Sequence, residues 1–205
     1  MSILEVRSLS PVFGRLEERA MRRVRYGVGM SLDGFIADVH DGMGWMTGDP
    51  GYDSKPFFAS IDTVLVGRRS YEVMLRHGAR SYPGLRTYVF SRSLNAADYP
   101  EVTMLAEDGV ATVTRLRGET GKDIWLSGGG ELFRGLLAAD LVDTVEVGVS
   151  PILLGQGRPL LPSPGRTQKL KLTHEHAFPS GLLVLYYDVV RKSGAAEQGD
   201  EADER

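Results

Sequence analysis

The sequence predicts an α/β protein: a three-layer α/β/α sandwich around a mixed, mostly parallel sheet that closes with a C-terminal antiparallel pair. Three observations carry that expectation. From residue 24 to about 150, short β-branched and aromatic runs alternate with helical patterns. Such strand–helix–strand units pair in parallel, with helices over both faces. The last two runs, near 170–176 and 182–190, have no helical pattern between them, so they form an antiparallel pair. The 205 residues, 42% hydrophobic and 25% charged, suit one domain with a sizeable core.

The elements follow in order. Val24, Tyr26, Val28 and Met30 alternate with Arg25, Gly27, Gly29 and Ser31, the period of a strand with one face more buried. A long loop, 33–53, holds five glycines, Pro50 and Trp45. Asp53 and Ser54 can cap a short helix with Pro56 in its first turn. Residues 63–66 form a buried strand ending at Gly67, and 69–76 a helix with Tyr71, Met74 and Leu75 on one face. Strands follow at 87–90 and 102–105. Val110, Val113 and Leu116 mark a helix capped by Asp108 and stopped by Gly118. Residues 123–126 are a strand running into Ser127, Gly128, Gly129 and Gly130, and Leu132, Phe133, Leu136 and Leu137 mark an amphipathic helix. Val145, Val147 and Val149 alternate again, and a Pro/Gly loop over 151–165 leads to the final pair.

The ends are peripheral. Residues 1–20 show no clear period and read as an N-terminal extension, with Met21 a candidate for the natural first residue. Residues 21–192 make the folded domain. Residues 193–205 carry five acids, one base and no large apolar side chain, the composition of a disordered acidic tail.

Composition also excludes functions. A net charge of −3 without a polybasic stripe gives nucleic acid and anionic membranes no purchase. No apolar run approaches the roughly 18 residues a membrane span needs. The chain has no cysteine, which rules out disulfides, thiolate zinc sites and thiol nucleophiles and agrees with a cytoplasmic location. His174 and His176 share a strand face but have no evident third ligand, so no metal is expected.

Three strand ends share one chemistry: Gly67-Arg68-Arg69-Ser70, Ser91-Arg92 and Gly128-Gly129-Gly130. A glycine run before a helix lets backbone N–H groups approach a phosphate, and the helix N-terminus adds a favourable partial charge. Arginines and hydroxyls at neighbouring strand ends supply further donors. Ligands of such sheets collect at the carboxyl ends of the strands. The set points to a ligand with several phosphates, such as NADPH. The spacing is neither the Rossmann nor the P-loop pattern, and by itself names no reaction.

Longer motifs carry a family resemblance. The stretch from Met30 through Ser31, Leu32, Asp33, Gly34, Phe35 and Ile36 to Ala37 resembles the opening signature of stand-alone relatives of the bacterial riboflavin-pathway reductase domain. Gly67-Arg68-Arg69-Ser70-Tyr71-Glu72 and Leu126-Ser127-Gly128-Gly129-Gly130-Glu131-Leu132 resemble its second and third motifs. Leu141-Val142-Asp143 and Pro151-Ile152-Leu153-Leu154-Gly155, with Gly157, are similar to its late motifs. The matches keep chain order across nearly the whole core. More distantly the arrangement resembles dihydrofolate reductase, which implies a dihydrofolate-reductase-like fold.

The resemblance then implies roles. Gly29 and Ile36 would hold the nicotinamide carboxamide through their backbone. Gly67, Arg68, Arg69 and Ser70 would bind the 2′-phosphate and pyrophosphate of NADPH, with Ser91 and Arg92 near the 2′-phosphate. Gly128, Gly129 and Gly130 would wrap the pyrophosphate, with Glu131 and Leu132 opening the next helix. Ser31, Asp33, Trp45 and Ser127 would face substrate, although Asp33 also suits a turn and Trp45 a plug pinning the long loop; apart from the resemblance, Phe57 in the short helix suits the floor under a planar substrate, or core packing. Asp53 is the nearest acid for proton donation, and it equally suits a helix N-cap.

Two departures separate the chain from riboflavin synthesis. Ser127 stands where those reductases place a glutamate, and the cysteine ligands of their deaminase partner domain are absent. The expectation is therefore an NADPH-dependent reductase acting on a small heterocyclic or carbonyl substrate, related to 5-amino-6-(5-phosphoribosylamino)uracil reductase. A non-catalytic NADP-binding sensor and an authentic dihydrofolate reductase are the alternatives. Such relatives commonly pair, and the apolar stretch 151–161 is the expected homodimer surface.

Overall fold

The central strand of the sheet is the first to be laid down. In the computed structural model, which describes residues 21–106 and 109–191, β1 (Val24–Ser31) lies between two strands made about a hundred residues later. After β1 the chain forms β2 (Phe35–Ala37), α1 (Lys55–Ala59), β3 (Ile61–Gly67), α2 (Arg68–Arg76), β4 (Arg86–Phe90) and β5 (Thr103–Leu105). It continues through α3 (Gly109–Gly118), β6 (Asp123–Gly128), α4 (Gly130–Ala138), β7 (Thr144–Ser150), β8 (Arg158–Pro159), β9 (Leu170–Ala177) and β10 (Leu183–Val189). The main sheet has eight strands in the order β5-β4-β3-β6-β1-β7-β10-β9. The first six pair in parallel; β10 runs antiparallel to both β7 and β9.

Alternation along each strand divides the core in two. Val24, Tyr26, Leu65, Ile124 and Leu126 turn to one face and pack with Val113 and Leu116 of α3 and Phe133, Leu136 and Leu137 of α4. Tyr26 stacks on Phe133 at 3.8 Å between ring centroids. Val64, Val66 and Val89 turn to the other face and pack with Tyr71 of α2. Both clusters are buried, and helices lie on both sides, as the strand–helix alternation predicts.

Two elements were not legible as such. The loop over 33–53 contains β2, which pairs with β8 in a separate two-stranded sheet. Asp33 anchors the turn before it: its carboxylate accepts from Ser31 Oγ and from the N–H groups of Leu154 and Gly155. The edge strand β9 differs in another way, being exposed along its whole length. Asp108, the expected cap of α3, lies outside the described residues, as do 1–20 and 193–205.

Candidate active site

Strand register builds the floor of the site. Gly27 of β1 lies beside Glu146 of β7, which lies beside Tyr186 of β10; one step along the same face, Gly29, Gly148 and Val184 form the next row. Trp125 and Ser127 of β6 continue the floor on the other side of β1. Three glycines in two adjacent rows remove the side chains that would fill this face, while α2 covers β3 and β4. The result is a cavity of about 1220 Å³ at the carboxyl ends of the strands.

The loop over 38–52 roofs the cavity and is tied down at several points. Thr47 N–H donates to Ser150 Oγ at 3.0 Å, and Asp49 accepts from the N–H of Ser180 at 3.0 Å. Arg158 of β8 reaches Asp41 at 2.7 Å. Met43, Met46 and Tyr52 face the space from this loop.

At one end the N-termini of α2 and α4 meet. Neither helix has a side chain capping its first N–H groups, so those donors and the positive ends of both helix dipoles are free for an anion. The two caps nearly touch: a Cβ on Gly67 would lie 3.2 Å from the nitrogen of Gly129. Gly128 has φ +126°, a backbone conformation that favours glycine. A Cβ on Gly129 would come within 3.2 Å of Ser70 Oγ, crowding the same corner. Arg69 borders this end of the cavity and has no ion-pair partner among the described residues, whereas Arg68 is drawn back to Glu72 at 2.7 Å. Glycine backbone, two uncapped helix ends, a hydroxyl and a free guanidinium fit the phosphates of a dinucleotide.

The other end is aromatic and acidic. Trp125 meets Phe57 and Phe58 of α1 edge-on, at 5.5 and 5.7 Å, and Tyr82 at 4.9 Å. Trp125 Nε1 donates to Gly27 O at 2.9 Å, which fixes its plane against β1. Tyr82 and Ser127 share a hydrogen bond of 2.9 Å. Burial pushes the Tyr82 phenol up, and the bond to Ser127 pulls it partly back. Glu146, buried on β7, takes both forks of Arg25: Nε to Oε1 at 2.7 Å and Nη2 to Oε2 at 2.8 Å. Thr144 Oγ1 adds a third donor at Oε1. Arg25 also reaches Ser60 and packs 4.8 Å from the Phe57 ring centroid; its bonds to Glu146 raise its pKa above the ordinary value.

Comparison with known proteins then decides the family. The RibD C-terminal domain matches residues 22–184, most of the chain. The chain belongs to the RibD C-terminal domain family. It is 32% identical over 165 residues to the uncharacterized protein YwjB of Bacillus subtilis (strain 168), covering 78% of this chain and 94% of that one. Among solved structures, a Shewanella sp. PV-4 protein named for riboflavin biosynthesis superposes with a TM-score of 0.71 at 22% identity, covering 82% of this chain and 99% of that one. Dihydrofolate reductase from Enterococcus faecalis, in complex with NADP(H), superposes at 0.60 with 15% identity, covering 83% and 97%. The expected dihydrofolate-reductase-like fold is thereby shown.

Within this RibD-type fold the expected site residues separate. Gly29, Ile36, Gly67, Arg68, Arg69, Ser70, Gly128, Gly129, Gly130, Glu131 and Leu132 border the cavity, with Phe57 and Ser127. Six others do not. Asp53 is exposed and its Oδ1 accepts from the N–H of Lys55 at 2.9 Å; this corrects the proton-donor assignment, since the carboxylate serves the turn before α1. Ser31 is fully buried, and its Oγ donates to Asp33 and accepts from Phe35 N–H; with Asp33 it clamps loops together, and neither residue lines the cavity. Trp45 donates to Gly42 O and pins its own loop. Ser91 is buried, accepting from the N–H groups of Ser93 and Leu94, and Arg92 is exposed beside it.

Sequence reasoning missed Glu146, Tyr82, Trp125 and Tyr186. Glu146 did carry a signal: it is a carboxylate inside a valine-alternating strand, matched by Arg25 inside another. Only the strand register puts the two side by side.

Proposed function

We propose that the chain is an NADPH-dependent reductase that reduces a C=N or C=O group of a small planar substrate. The observation that carries this reading is the corner where the uncapped ends of α2 and α4 meet beside Arg69 and Ser70. Those groups would hold the phosphates, and Arg69 would favour the nucleotide with the additional 2′-phosphate. Gly27 and Gly29 carry no side chain, so Trp125, Phe57 and Met46 approach β1 closely there and offer apolar surface to a flat ring. When bound, the dihydronicotinamide supplies a hydride to the substrate carbon. The proton for the neighbouring nitrogen or oxygen is held at Tyr82 Oη, which its pKa keeps protonated at neutral pH. Met43, Met46 and Tyr52 exclude water from above.

The test is a titration with NADPH and NADH followed by intrinsic tryptophan fluorescence, then NADPH oxidation against carbonyl and heterocyclic compounds. Preferred binding of NADPH with turnover of at least one compound supports the reading. Binding without oxidation of any compound would leave a nucleotide-binding sensor instead. Turnover of the riboflavin intermediate is expected to be feeble, because Ser127 cannot supply a carboxylate's charge-assisted hydrogen bonds.

A further inference from the structure

The end of the cavity beyond Ser127 has a chemistry of its own. Among the described residues, three cationic side chains border the cavity: Arg68 and Arg69 at the dinucleotide end, and Arg158, which is paired with Asp41. None of the three is free for a second phosphate in the aromatic end. Arg25 lies beneath that end, but its guanidinium is occupied by Glu146, Ser60 and Asp123. A phosphate placed there would find no free cation among the described lining residues, because the Arg25 charge is already engaged by Glu146 and Asp123.

Glu146 is not saturated. Its Oε1 accepts from Arg25 and Thr144, while among the described residues Oε2 accepts from Arg25 alone. A carboxylate oxygen has two acceptor positions, so Oε2 keeps one open. The residue borders the cavity, between Gly27 and Tyr186 in register. Trp125, Phe57 and Tyr186 surround the same space with aromatic surface suited to a flat ring.

We infer that the substrate of this reductase is an unphosphorylated, flat nitrogen heterocycle whose edge presents N–H donors to Glu146. The inference rests on the reductase reading above and adds its substrate class. Glu146 is the specificity-determining residue: it rewards a ring with N–H donors, while a phosphorylated one would find no free cation beside it.

Binding to the nucleotide-free protein tests this independently of turnover. Three probes are titrated by tryptophan fluorescence: 2,4-diaminopyrimidine, which presents N–H donors; 2,4-dimethoxypyrimidine, similar in shape without donors; and uridine monophosphate. The diamino compound is expected to bind roughly ten-fold tighter than either other, the effect of one charge-assisted hydrogen bond. Glu146→Gln is expected to erase that advantage, with the thermal midpoint as the control on folding. If that variant fails to fold because Arg25 loses its counter-charge, the double variant Arg25→Gln with Glu146→Gln removes both charges and makes the same measurement. Equal affinity for the dimethoxy compound, tighter binding of uridine monophosphate, or an unchanged preference without the carboxylate would each overturn the inference. Failure of NADPH to bind alongside a clear diamino preference would remove the reductase reading and leave this pocket assignment standing.

Discussion

The phenolic oxygen of Tyr82 lies 2.9 Å from Ser127 Oγ, where β6 runs into the glycine loop. Tyr82 comes from the segment between α2 and β4, so this bond joins two edges of the cavity. If Tyr82 delivers the proton, Tyr82→Phe should lower kcat by about two orders of magnitude, typical of general acid catalysis, with NADPH affinity unchanged. The same change should cost stability only about 1 kcal/mol for the lost bond. A kcat within two-fold of the parent would hand the proton to water.

If the chain takes NADPH, Arg69 is the residue expected to select it. It borders the cavity without an ion-pair partner among the described residues, while Arg68 is engaged with Glu72. Arg69→Ala is expected to weaken NADPH roughly ten-fold while leaving NADH almost unaffected, the cost of one charge-assisted contact. Equal losses for both nucleotides would place Arg69 on the pyrophosphate they share.

Two neighbouring glycines should separate binding from folding. A Cβ on Gly130 would lie 2.8 Å from Pro162 Cδ and 3.0 Å from Pro159 O, so Gly130→Ala should destabilise the fold by about 1–3 kcal/mol through overpacking. At Gly129 the nearest atom within that range is Ser70 Oγ, at 3.2 Å. Gly129→Val is therefore expected to fold while losing nucleotide affinity. Thermal melts and NADPH titrations read the two effects apart, and a Gly129→Val protein that unfolds would refute the assignment.

Asp33 gives a pH signature. The hydrogen bond from Ser31, then those from the N–H groups of Gly155 and Leu154, hold its carboxyl below the ordinary carboxylate range. A depressed pKa stabilises the fold above the ordinary value and loses that contribution as pH falls through the folded one. Asp33→Asn should thus melt below the parent at neutral pH, and the difference should shrink below about pH 4. A difference that persists unchanged in acid would mean the clamp does not depend on charge.

Association is the remaining expectation. Leu32 and Leu153 are 64% and 70% exposed, and the N–H of Leu32 bonds to Ile152 O, so two exposed leucines come from neighbouring stretches of backbone. Light scattering is expected to show a dimer that Leu153→Asp dissociates. A monomer at micromolar concentration would end the idea.

What the sequence disclosed follows physical lines. β1 and β6 were readable because one face packs under helices and the other does not, which writes a period of two into the chain. The glycine loop and Gly67-Arg68-Arg69-Ser70 were readable because they are contiguous. β2 and β8 were not, since strands of three and two residues show no period and both lie inside glycine-rich loops. Glu146, Tyr186 and Trp125 meet only through strand register, which one sequence does not state. Asp53 misled because a turn-forming carboxylate and a catalytic acid look alike until the carboxylate is seen accepting from the N–H of Lys55.

The placement of β1 bears on how the chain is made. Val24 pairs with Ile124 and Val28 with Val147, so the central strand waits for its partners while most of the domain is synthesised. Tyr186, opposite Glu146, arrives later still. Contacts of such separation fold slowly and leave apolar strands open to wrong partners meanwhile. A nascent chain released before β10 would have no finished pocket, so no ligand could rescue it during translation. Any ligand of the cavity could protect only the completed chain.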